Sequence, residues 1–157
     1  MKRVAGILLA VALAVAMGGS ALADQKVRLP ESSYCLTLPD GMQYDGPGGS
    51  GESFAYVDDK TGLDIAFFCY DSRGKTLEAI APEIRDQCDS VSIRQIRDGI
   101  QVLAYEVRDP DDPPQKGMKC IGYVLEDGNR FQEICFWYAT QDAANMTKTI
   151  IESISKE

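Results

Sequence analysis

The chain contains no histidine in 157 residues. That removes Ser-His-Asp and Cys-His nucleophile systems, His-bearing zinc sites and imidazole proton shuttles. Its five cysteines, Cys35, Cys69, Cys88, Cys120 and Cys135, include no CxxC and no CxC pair; successive cysteines are 34, 19, 32 and 15 positions apart. Zinc ribbons, redox-active dithiols and iron–sulfur clusters need close pairs that bring two sulfurs within bonding range, so the spacing speaks against all three. Positive charge is also scarce, with 16 Lys and Arg against 24 Asp and Glu. An acidic surface repels nucleic acid and anionic membranes, and neither is expected as a partner. No cofactor motif and no transition-metal ligand set is present.

What the sequence does carry begins at residue 2. Lys2 and Arg3 precede an apolar run from Val4 to Met17, too short to span a bilayer, and Ala21-Leu22-Ala23 forms a small-x-small cleavage site. Residues 1–23 therefore read as a cleaved signal peptide and 24–157 as one secreted or periplasmic domain, with no membrane insertion after cleavage. No cysteine follows the apolar run at the cleavage region, which argues against a lipid anchor. Cleavage removes two basic residues and no acidic one, moving the net charge from −8 to −10. The 134 residues left suffice for a core that buries roughly two-thirds of the unfolded surface.

In an oxidising compartment the cysteines read as structural disulfides, with the odd one either a buried thiol or the link of a covalent dimer. Glu126-Asp127-Gly128-Asn129 reads as a hairpin turn with Asp127-Gly128 central, because Asp-Gly suits type I′. Opposed residue numbers then sum to 255, which places Cys120 directly across from Cys135. A bridge closing those 16 residues stabilises the fold by about 3 kcal/mol in the chain-entropy model. Cys35 is then the remaining partner for Cys88, since Cys69 falls at the far end of the helix that follows it.

Alternation and turn signals outline the rest. Residues 33–38 read as a strand ended by Pro39-Asp40-Gly41, and 45–51, rich in glycine, as a flexible loop. Strands at 53–57 and 63–70 flank a turn at 58–62. The second is apolar on both faces toward its end, which reads as a central strand covered on both sides. Thr76 to Cys88 carries Leu77, Ile80, Ala81, Ile84 and Cys88 on one helical stripe with Thr76 as N-cap, although Pro82 interrupts it. Strands at 91–96 and 100–108 flank Arg97-Asp98-Gly99, and the Asp109 to Pro114 run forms a stiff acidic connection. A third hairpin spans 118–125 and 130–138. Gln141 to Ser155 closes with a helix that turns Ala143, Met146, Ile150 and Ile154 to one side.

This element order, opening with Leu36-Thr37-Leu38-Pro39-Asp40-Gly41-Met42, resembles the Mog1/PsbP-like α/β/α sandwich, with Met42 where tryptophan is common. The resemblance covers most of residues 24–157. It implies an α+β fold, an antiparallel sheet of hairpins packed against two helices, and a binding role like that of relatives that partner a small GTPase or serve as extrinsic photosystem subunits. It implies no catalytic residue.

Asp109, Asp111 and Asp112 match no calcium loop and read as a solvated turn. Glu106, Glu126 and Glu133 read as solvent-facing strand residues. The candidate recognition surface is aromatic: Tyr123, Trp137 and Tyr138, with Tyr56, Tyr70 and Tyr105 on neighbouring strands, each weighed against a place in the core. The reading is an exported, disulfide-stabilised domain that binds a protein or small ligand without turning it over. The alternatives are a carboxylate- or tyrosine-based secreted enzyme, and a secreted inhibitor whose 109–114 loop plugs a basic active site. N-terminal sequencing of the protein recovered outside the cytoplasm of its host is expected to start at Asp24, and a retained Met1 refutes export by this signal.

Overall fold

The computed structural model describes residues 24–47, 54–108 and 116–157. The signal segment, residues 48–53 and the acidic 109–115 connection lie outside the described residues. Two antiparallel sheets and two helices make up the α+β fold that the element order predicts.

The large sheet has seven strands in the order β3 (Gln43–Pro47), β4 (Phe54–Asp58), β5 (Leu63–Asp71), β9 (Arg130–Tyr138), β8 (Lys119–Asp127), β7 (Gln101–Val107) and β6 (Cys88–Gln95). The small sheet places β2 (Tyr34–Leu38) between β1 (Gln25–Arg28) and β10 (Ser155–Lys156). Because side chains alternate along a strand, each strand of the large sheet has one set of residues on either face. Leu63, Ile65 and Phe67 of β5, Tyr123 and Leu125 of β8, and Ile134 and Phe136 of β9 share the first face. Over them pack the small sheet, through Leu36 and Leu38, and α2 (Gln141–Glu152), through Ala143, Ile150 and Ile151. This is the main core. On the second face α1 (Leu77–Arg85) lies over β6, β7 and β8, packing Leu77, Ile80 and Ala81 against Leu103, Val124 and Phe131.

Both helices start where the sequence places an N-cap. Thr76 Oγ1 accepts from the Ala79 amide at 3.3 Å and Thr140 Oγ1 from the Ala143 amide at 3.1 Å. Glu126, expected to face solvent, instead reaches α1, its Oε1 accepting from the Leu77 amide at 2.7 Å. Helix α1 runs through Pro82 but stops at Arg85, short of the predicted Cys88. Cys88 fits a helical stripe one turn beyond Ile84, yet it is the first residue of β6. A register shift between Cys88 and Ser90 puts Cys88, Val91 and Ile93 on one face, which hides the strand alternation from the sequence.

The β8–β9 hairpin corrects the predicted register. Asp127 faces Arg130, so Gly128 and Asn129 are the central residues. Of these only Gly128 has positive φ, 65°. Glycine at the first central position followed by a residue with ordinary φ is the type II′ requirement, whereas type I′ would have forced Asp127 to positive φ. Opposed numbers therefore sum to 257: Cys120 faces Trp137, and Gly122 faces Cys135. Three further strands, β1, β3 and β10, carry no clear sequence signal; β3 falls largely in the run predicted as a loop, and β10 begins at Ser155, the expected end of a closing helix that stops at Glu152.

The ends of the described chain meet in the small sheet. Ser155 pairs with Cys35, and the Glu157 amide bonds Ser33 O at 2.9 Å. The Glu157 carboxylate takes Arg28 Nη2 at 2.7 Å and Lys26 Nζ, on the strand flanking β2 on its other side.

Gly122 and Tyr105 face each other across β7 and β8. The Tyr105 ring lies over the glycine so closely that a Cβ there would sit 2.0 Å from the ring Cζ. Gly122→Ala is expected to cost about 2 kcal/mol by overpacking, measured by urea unfolding. In a double-mutant cycle most of that cost disappears once Tyr105 is also Ala; additive losses refute the contact.

Candidate functional site

Helix α1 covers one half of the second face and leaves the other half open. Among the described residues nothing packs over the β4–β5–β9 part. Ala55 and Val57 of β4, Ala66 and Phe68 of β5, and Cys135 and Trp137 of β9 are neighbours there, all partly exposed. Tyr70, 39% exposed, closes one end of the strip. The second apolar face of β5 was expected to be covered. Only its first face is: Phe67 is 0% exposed, whereas Phe68 stays partly in solvent.

One rim of this strip is acidic. Asp64 stands opposite Trp137 and Val57, and its carboxyl pKa is raised by burial and then by the charges of Asp45 and Asp59. Three carboxylates gathered beside an apolar strip repel one another, and a cation placed there relieves them.

Where the open half meets the covered half, a line of polar groups crosses the strands. Glu133 of β9 lies between Tyr70 and Tyr105. Tyr105 Oη donates to Glu133 Oε1 and stands 3.5 Å from Cys135 Sγ. The Tyr105 hydroxyl pKa is pushed far up by burial, then by the neighbouring Cys135 and Glu133; that of Tyr70 is raised by burial and by Glu133. Beyond Cys135 lies Cys120. The corrected register makes these two diagonal neighbours on one face, and each thiol shifts the other, the Cys120 pKa downward and that of Cys135 upward. Gly122 makes the line possible, since only a residue without a side chain lets Tyr105 cross it.

The structure separates the predicted aromatic surface. Tyr123 is 2% exposed on the core face, where it carries the Arg94 guanidinium 5.5 Å from its ring centroid. Tyr138 packs against the same core. Of Tyr123, Trp137 and Tyr138 only Trp137 lies on the open face. All five cysteines are unpaired. Cys35 lies in the small sheet beside Glu157, on the core side of the large sheet, and Cys88 on the α1 side, so the fold does not bring them together. Cys69 faces the core from β5, its sulfur accepting from Gln132 Nε2 at 3.4 Å and Arg130 Nη1 at 3.5 Å. It lines a cavity of about 270 Å³ with Pro30, Glu31 and Arg130. A groove of about 530 Å³ runs between α2 and β2. The cavity shares Tyr70 with the end of the uncovered strip, whereas the groove lies on the other side of the sheet. Glu106, Glu126 and Glu133 do not converge: Glu106 is on the core side, and the other two serve a helix amide and a tyrosine. The three aspartates of the 109–114 run lie outside the described residues, and among the described residues no group of three His, Cys, Asp or Glu could hold a metal ion.

Tyr70, Glu133 and Tyr105 were not singled out together from the sequence. Their only signal is alternation, which puts Glu133, Cys135 and Trp137 on one face of β9. Strand pairing, not spacing, adds the tyrosines.

No protein-family model matches the chain, and no curated protein matches it by sequence. Solved structures do. The solution structure of cyanobacterial PsbP (CyanoP) from Synechocystis sp. PCC 6803 superposes with a TM-score of 0.61 at 14% identity, covering 89% of this chain and 96% of that one. A crystal structure from Bacteroides thetaiotaomicron VPI-5482 gives 0.58 at 15% identity over 85% of this chain and 48% of that one, so this chain spans about half its length. The fold is PsbP-like.

Asp64 gives a signed pH prediction. A carboxyl whose folded pKa lies above its unfolded value binds its proton more tightly in the folded protein. It therefore destabilises the fold once pH exceeds that raised value, and has no effect below both. Asp64→Asn is expected to raise stability at neutral pH by about 0.5 kcal/mol or less, as suits a partly exposed site. The gain should vanish in acid; a gain independent of pH excludes this origin.

Proposed function

We propose that the protein is an exported, disulfide-stabilised, non-catalytic binding domain, and that the open half-sheet is its binding face for a protein partner. The signal-like residues 2–23 support export. The observation that carries the binding reading is the strip Val57, Ala66, Phe68 and Trp137, apolar, contiguous and uncovered among the described residues. Three strands about 4.8 Å apart, over four or five residues of about 3.4 Å, give on the order of 200 Å² of flat face. That is the size of an interface centre, around which a rim of polar contacts completes a recognition site of about 800 Å² per partner. Here the rim carries Asp64, Asp59 and Asp45, so the fitting partner presents an apolar patch edged by Lys or Arg. Cys120 and Cys135, diagonal neighbours on one face of β8 and β9, support the disulfide part of this reading. Among the described residues no acid and base on the open face flank a cavity, which favours recognition over turnover.

The test uses the sole tryptophan as its reporter. A photo-crosslinking residue replaces Phe68 in the protein expressed in its host, and the same residue at exposed Lys148 on α2 serves as control. A partner crosslinked only from position 68 is then purified and titrated against the unlabelled chain. Trp137 fluorescence should shift on binding, and Phe68→Glu and Asp64→Lys should each weaken affinity tenfold or more. Identical adducts from both positions, or no Trp137 response to the purified partner, overturn the assignment.

A further inference from the structure

The sequence contains no close cysteine pair, yet the β8–β9 hairpin builds one in space. We propose that Cys120 and Cys135 form a thiol–disulfide exchange site on the uncovered face, with Cys135 as the entry thiol and Cys120 as the resolving thiol. The inference stands on the thiol geometry and shares the face and this cysteine pair, but not the partner, with the binding reading.

The two cysteines differ in the way such a pair requires. Cys135 retains exposure on the open face, beside Ala66, whereas Cys120 is 3% exposed beneath it. A small disulfide can therefore reach Cys135 and not Cys120. Cys120 is the more acidic of the two because the neighbouring Cys135 thiol lowers its pKa, an effect that outweighs burial. Cys135 itself is a reluctant acid, raised by Cys120, by burial and by Glu133. The adjoining groups answer this. Tyr105 Oη, 3.5 Å from Cys135 Sγ and donating to Glu133, connects the thiol to a carboxylate on the partly open face.

In the first step the Cys135 proton passes to the Tyr105 oxygen as the Tyr105 proton passes to Glu133. The thiolate attacks one sulfur of a small disulfide, R–S–S–R. The Cys135–S–S–R bond forms, the R–S–S–R bond breaks, and the departing RS⁻ takes up the proton that Glu133 releases. In the second step Cys120 loses its proton to solvent and its thiolate attacks Cys135 Sγ. The Cys120–Cys135 bond forms, and the second RS⁻ leaves and is protonated. The protein dithiol has lost two electrons and two protons, and the small disulfide has become two thiols. Diagonal strand neighbours have α-carbons about 7–8 Å apart, beyond the usual 4.4–6.8 Å of a relaxed bridge. The bridge so formed is strained, and strained bridges exchange back readily.

The probe is oxidised glutathione, added to the native protein of residues 24–157 after reduction and removal of reductant. The wild type is expected to become lighter by the mass of two hydrogens, with peptide mapping showing Cys120 joined to Cys135. Cys120→Ser should stop at the first step and hold one glutathione on Cys135. Tyr105→Phe in that background should slow adduct formation tenfold or more, the deficit closing as pH is raised. Glutathione on Cys35, Cys69 or Cys88, or a wild type that keeps both thiols, overturns the proposal. The wild-type mapping decides the case even where the serine variant fails to fold. Phe68→Glu should leave this exchange intact while abolishing partner capture, so failure of one assignment is distinguishable from failure of the other.

Discussion

Nine residue pairs join β8 to β9, from Lys119 with Tyr138 to Asp127 with Arg130, and the conformation of one glycine at the turn sets all of them. With Gly128 taking the left-handed position alone, Gly122 rather than Cys120 comes to face Cys135. The missing side chain then lies where the Tyr105 ring must pass to reach Glu133 and Cys135. Had the hairpin closed one residue earlier, Cys120 would oppose Cys135, Tyr105 would still face Gly122 on β8, and the residue behind that glycine would be Glu133 in place of Cys135. What lies beyond the glycine for the tyrosine to meet thus follows from the backbone preference of a single turn.

The open half-sheet has an equally plain origin in lengths. Helix α1 has nine residues, about 13 Å of helix at 1.5 Å per residue. Seven strands at about 4.8 Å make a sheet some 30 Å across, so one short helix lying over β6, β7 and β8 cannot shield the rest. The opposite face has both α2 and the small sheet, and its core is correspondingly complete. An asymmetry of coverage, not a cavity, distinguishes the two sides.

Much of this was legible in the residues. The β9 strand predicted at 130–138 has the bounds observed, Thr76 caps its helix as expected, and the element order pointed to the PsbP-like fold. Errors arose where one pattern served two structures. Cys88 satisfies a helical stripe and begins a bulged strand. The two apolar faces of β5 look the same in sequence whether both are buried or one is offered to a partner. Asp127-Gly128-Asn129 contains glycine in a place that suits either hairpin turn, and the wrong choice displaced the register by two. Because strand faces repeat every two residues, that displacement kept Cys120 and Cys135 on a common face. Tyr123 was a different case: its alternation with Leu125 already assigned it to the core, and the density of aromatics nearby drew attention away from that.

The small sheet ties β2 between strands that come from opposite ends of the described chain. Ser155 bonds alongside Cys35, 120 positions earlier, and the Glu157 carboxylate reaches across to Lys26 and Arg28. Contacts so distant in sequence form late, because the chain between them loses its freedom before they contribute. Leu36 and Leu38 are part of the main core, so that core cannot be sealed until residues 154–157 are in place. A polypeptide delivered amino end first through a narrow pore would therefore stay loose until residues 154–157 had come through.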